Sequence, residues 1–192
     1  LDEQLEPALR KPEQVIPKEL ATLELAIFYH DAIDDRKNPN AVSESADLVG
    51  SLFSTIKNIQ TIQLSNQAIA LILSTQHTEK DNKSDNLAAL EFLTNPAEFS
   101  ICKQWLNDLD LSILGQTPEK YKAYAAQIRQ EYSFVPPAIY AEKRIEVLKK
   151  MLSSPNFYQT NWGKERFETQ ARKNMASEIR ALKKQLKTQQ AA

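Results

Sequence analysis

Apolar residues recur along this chain at helical spacing, and no segment alternates convincingly at period two. Pro17 to Asp34 reads as a helix, with the proline tolerable in its first turn. Leu20, Leu23, Ile27 and Asp31 share one face, and Leu25, Ala26, Phe28, Tyr29 and Ile33 cover most of the rest. A helix apolar nearly all round is expected to be buried. A polar turn, Asp35 to Asn40, leads to a second helix, Ser43 to Ile56, with Ser43, Ala46 and Val49 to Phe53 on its inner side. Ser65 reads as the N-cap of a third, Asn66 to Gln76, closed by His77. Thr78 to Asn86 is polar, and Asn86 to Leu93 reads as a short helix. Ser100 to Leu114 is longer and stops at Gly115, a residue type common just past helix ends.

Thr117-Pro118-Glu119 supplies an N-cap hydroxyl, a proline at the first helical position and an acid at the positive helix end. The helix it opens runs to Tyr132, and Pro136 and Pro137 break the chain. Ala138 to Leu152, a turn, and a last helix from Lys164 to Lys187 complete the pattern. The expectation is an all-α fold, a single domain over residues 1–192 with about seven or eight helices.

Composition narrows the chemistry. With three glycines in 192 residues, no GxGxxG or P-loop pattern occurs. The single cysteine, Cys102, excludes an internal disulfide and a thiolate cluster, and reads as a small buried hydrophobe. The formal net charge of -1 names no partner. No apolar run approaches the ~20 residues of a membrane span, and no signal peptide is visible, so a cytoplasmic location is expected.

Candidate chemistry sits at the ends of the greasiest runs. His30 and Asp31 end the first helix, and His77, the other of two histidines, ends the third. A buried carboxylate must be paired or bind metal. An imidazole nitrogen beside a carboxylate oxygen suits Zn, Mn or Fe. The bland alternatives are an Asp–His hydrogen bond and a cation at a helix C-terminus. A third element holds Asp108 and Asp110, which diverge by about 200° on a helix, so that periodicity does not choose between them.

Five stretches in order resemble the HD superfamily of metal-dependent phosphohydrolases, and more specifically a bacterial branch of predicted metal-dependent HD phosphohydrolases. They are FYHDAIDD with SESA (Phe28 to Asp35, Ser43 to Ala46), LILSTQH (Leu71 to His77), DLDLSILG (Asp108 to Gly115), YKAYAAQIRQEY (Tyr121 to Tyr132), and Arg144 to Tyr158. The resemblance implies a divalent metal (Mn, Fe, Zn or Mg) held by His30, Asp31, His77 and Asp108, with Asp31 able to bridge a second ion. It favours Asp108 where periodicity is silent. Such a metal polarises a phosphoryl oxygen and turns a bound water into hydroxide near neutral pH. The implied substrate is a small phosphorylated molecule, a phosphomonoester or nucleotide. Arg36 and Arg129 are candidate phosphate contacts, and Asp31 and Glu44 candidate catalytic carboxylates.

The chain also departs from the pattern. The superfamily's first histidine would precede Leu1, so the sequence reads as truncated just after it. Thr78 stands where the family commonly has a second histidine, and Glu44 is the one glutamate left before Ser45-Ala46. These departures keep an alternative open, a catalytically degenerate HD-type binding or regulatory module. A third reading, a nucleic-acid or protein adaptor, would use Lys164 to Lys187, where eight basic residues meet three glutamates. Their interspersion reads instead as a solvated helix face, because nucleic-acid footprints are denser and more one-sided.

Overall fold

A computed structural model of the chain describes residues 17–35, 37–75 and 96–190. Among the described residues seven α-helices of 13 residues or more follow one another: α1 Pro17–Tyr29, α2 Ala41–Phe53, α3 Ile59–Leu73, α4 Pro96–Asp110, α5 Pro118–Glu131, α6 Pro137–Ser153 and α7 Thr169–Gln190. No strand occurs among the described residues, so the all-α expectation holds for them. None of their helices is long and apolar enough to cross a membrane. The short helix expected at Asn86 to Leu93 lies outside the described residues, as do His77 and Arg36.

The boundaries moved where local chemistry outweighed periodicity. α3 starts six residues before its expected cap. Asn58 caps it, its side-chain oxygen accepting from the Gln60 and Thr61 amides at 2.8 and 3.4 Å, while Ser65 is buried inside the helix. α4 begins at Pro96, and its expected last turn tightens into a 3₁₀ turn, Leu111–Gly115. The turn before the last helix contains a single α-turn, Asn161–Gly163, capped by Thr160, and a π-helical turn, Lys164–Glu168.

Two compact units divide the chain, and the division falls inside α4, between Asn107 and Asp108. In the first unit α3 packs against both α1 and α2. Leu23, Ala26, Val49, Ala68, Leu71 and Ile72 are buried there, and the Thr22 hydroxyl reaches the Gln67 side chain at 3.1 Å to tie α1 to α3. α1 is less buried than its composition predicts: Phe28 is 63% exposed. The face of Thr22, Leu23 and Ala26 is the one that is covered. Cys102 is buried, as expected.

In the second unit α7 packs along α6 and both irregular turns, and the 3₁₀ turn also meets α5. Leu114, Tyr121, Leu148, Tyr158, Phe167 and Met175 are central to its core. Gly115 has an ordinary backbone conformation rather than the left-handed one of a helix-ending glycine. It is needed because a Cβ there would run into the Phe167 backbone and side chain.

Candidate metal centre

The first unit presents His30 and Asp31 where α1 gives out. The His30 amide still bonds to the Ala26 carbonyl at 2.8 Å, so the imidazole is carried on the last helical turn. Its Nδ1 lies 2.8 Å from the Ile27 carbonyl oxygen. A carbonyl can only accept, so Nδ1 carries the proton, and in the neutral ring Nε2 keeps its lone pair. Nε2 lies 3.5 Å from Asp31 Oδ2, with the His30 side chain 16% and the Asp31 side chain 52% exposed.

This arrangement passes a chemical test for a metal. A metal-ligating histidine almost always donates its other ring N–H to a carbonyl or carboxylate, which fixes tautomer and orientation. Two donor atoms on one ion at about 2.1 Å each are about 3.0 to 3.4 Å apart in octahedral and tetrahedral geometry. The Nε2 to Oδ2 distance is close to that edge. Protonation of Nε2 would turn the same contact into an ion pair.

The polar turn that follows fixes the pair's exit from α1. The Lys37 amide donates to Asp35 Oδ1 and the Asn40 amide to Asn38 Oδ1, both at 2.9 Å, as short polar side chains do in turns. Glu44 accepts from the Asn38 side-chain amide at 2.9 Å and is exposed. The wholly buried Ser45 accepts the Ile33 amide at 3.0 Å. Ser45 therefore holds the backbone two residues after Asp31. Ser45 lies within S-E-S-A, but the sequence carries no signal for this role.

The second unit treats its two aspartates differently. Asp108 is wholly buried. Its Oδ1 accepts the Gln159 amide at 2.7 Å, and its Oδ2 accepts the Thr160 amide at 2.8 Å and the Thr160 hydroxyl at 2.6 Å. Thr160 in turn caps Asn161–Gly163 by accepting the Gly163 amide at 2.9 Å. A side chain at Gly163 would collide with the Asp108 carboxylate. Asp108 thus organises the turn from Tyr158 to Gly163, whereas Asp110, the last residue of α4, is exposed. The N-cap threonine and close-packed glycine of T-N-W-G were the available signal for this partnership.

Arg129 is also taken up locally. Its guanidinium donates to the Tyr132 carbonyl at 2.6 Å and the Val135 carbonyl at 3.1 Å, and lies 4.7 Å from the Tyr140 ring centroid. It fastens the turn after α5. Nearby, Glu178 accepts from the Tyr121 hydroxyl at 2.5 Å and from Arg144 Nε at 2.9 Å. Burial and this carboxylate push the Tyr121 hydroxyl far above its ordinary value. Burial works against the Arg144 charge, but Glu178 outweighs it and holds the guanidinium protonated.

Comparison with protein-family models, curated proteins and solved structures gives no match.

Proposed function

We propose that the chain is a metal-dependent phosphohydrolase of the HD type, acting on a small phosphomonoester or nucleotide. The observation that carries this reading is the His30 ring. Its Nδ1–H is anchored on the Ile27 carbonyl and its Nε2 is beside Asp31 Oδ2 at 3.5 Å. The ligand set implied by the resemblance is His30, Asp31, His77 and Asp108. Both oxygens of Asp108 also accept from Gln159 and Thr160, so an ion would compete with those donors for this carboxylate.

A divalent ion held there supplies Lewis acidity toward a phosphoryl oxygen and an activated water. The protein's part is orientation. The Ile27 carbonyl keeps the imidazole in the tautomer that offers Nε2, and Ser45 holds the backbone beyond Asp31. Glu44, exposed on the first turn of α2, remains the candidate proton acceptor. Phosphate release from a panel of phosphate esters and nucleotides, measured with and without Mn²⁺, tests the reading. Metal-dependent release that Asp31→Ala abolishes is expected. The second reading, a binding module without turnover, draws on Asp108 and Arg129 being engaged within the second unit. Stoichiometric metal binding with no turnover on the whole panel would favour it.

A further inference from the structure

The end of α2, the start of α3 and the turn between them concentrate exposed apolar side chains. Ten large hydrophobic side chains are exposed among the described residues, and Leu48, Leu52, Ile56, Ile59 and Ile62 are five of them. Leu48 and Leu52 are one turn apart on α2 and share a face. The Ile56 amide bonds to the Phe53 carbonyl at 3.0 Å, so the chain still turns helically as it leaves α2. Ile56 and Ile62 then line one groove of about 300 Å³ with Gly50, Phe53 and Ile69. Ile59, 67% exposed, is one turn before Ile62 on α3. Apolar residues scattered singly over a surface need no explanation, but these are linked into one patch across two helices.

This surface is also nearly uncharged. From Leu48 to Thr75, Lys57 is the single charged residue, where about a quarter of residues would ordinarily be charged. Aliphatic side chains with charge depleted around them have the composition of an interface core. The polar residues at its border select the partner. Thr55, Gln60 and Gln63 are exposed, and each carries both a donor and an acceptor, so each can pair with its own copy. A face that docks on itself about a two-fold axis meets the same groups it presents, and a rim charged with one sign would repel itself there. Lys57 alone does not supply the basic face that a lipid surface or a nucleic acid recruits.

We propose that this patch docks on a second copy of the chain and forms a two-fold symmetric dimer. Aliphatic side chains around the α2–α3 turn of each copy fill the groove of the other, and Thr55, Gln60 and Gln63 pair at the rim. Twelve residues from Leu48 to Gln63 are exposed, fewer than the about 20 to 30 per side of a standard interface, so the dimer is a weak one with a dissociation constant of about 10 µM. The inference does not depend on the metal-centre reading.

The test is sedimentation velocity of the full chain over a concentration series from about 5 to about 300 µM, at low and high salt. The chain is expected to pass from monomer to dimer, to stop at two copies, and to depend little on salt. Ile59→Glu and Leu52→Glu, at exposed positions on two different helices, should each weaken association at least about tenfold by setting like charges against each other. Their thermal unfolding as dilute monomers should stay close to wild type. Ile139→Glu, also at an exposed position but on α6, should associate like wild type. The proposal is overturned by a monomer across the whole series, by assembly beyond two copies, by a dimer that survives both α2 and α3 substitutions, or by equal loss of association in Ile139→Glu.

Discussion

At the residue scale, the two aspartates of D-x-D-L differ in burial. Asp108 answers three donors inside the second unit, and removing it strands the Gln159 and Thr160 amides. Asp108→Ala should therefore cost about 3 kcal/mol in urea unfolding. Asp110→Ala, at an exposed helix end, should change stability by less than about 0.5 kcal/mol. If the two substitutions had the reverse effects, the assignment of roles would be wrong. The difference is not legible from periodicity, because both residues border the apolar face of α4. The partners that decide between them lie some fifty residues later in the chain.

At the element scale, the sequence announced helices well and their ends unevenly. Thr117-Pro118-Glu119 marked the start of α5 correctly, since its side chain does accept the Lys120 amide, at 3.5 Å. A serine before an apolar run looks like a cap at Ser65, while Asn58, seven positions earlier, has already opened the helix. Gly115 looks like a stop signal, but close approach of Phe167 is the constraint on it. Gly115→Ala should therefore destabilise by about 2 kcal/mol or more through overpacking, although alanine is the better helix former. Thermal unfolding that matched wild type would refute that. Two residues of YKAYAAQIRQEY make local structural contacts: Tyr121 binds Glu178, and Arg129 closes the turn after α5.

At the scale of the whole molecule, stability should depend on pH through its buried tyrosines. Burial is the main cause raising Tyr121, Tyr124, Tyr140 and Tyr158 above their ordinary value of 10.0, and Asp108 adds to it at Tyr158. Above pH 10 the unfolded chain loses these protons while the folded chain keeps them, so the unfolded state binds fewer protons and stability falls. The contribution is full below pH 10 and is lost as pH climbs further. Urea unfolding at a series of pH values from 8 to 11.5 would show a plateau and then a decline; unchanged stability across that range would contradict it.

The central claim is that His30 and Asp31 hold a divalent ion. Calorimetric titration of chelator-treated full chain with Mn²⁺, beside Asp31→Ala, tests it most directly. Saturable one-to-one binding in the wild type, weakened at least about tenfold by the substitution, is the predicted result. Absence of binding, or equal binding in both proteins, would contradict it.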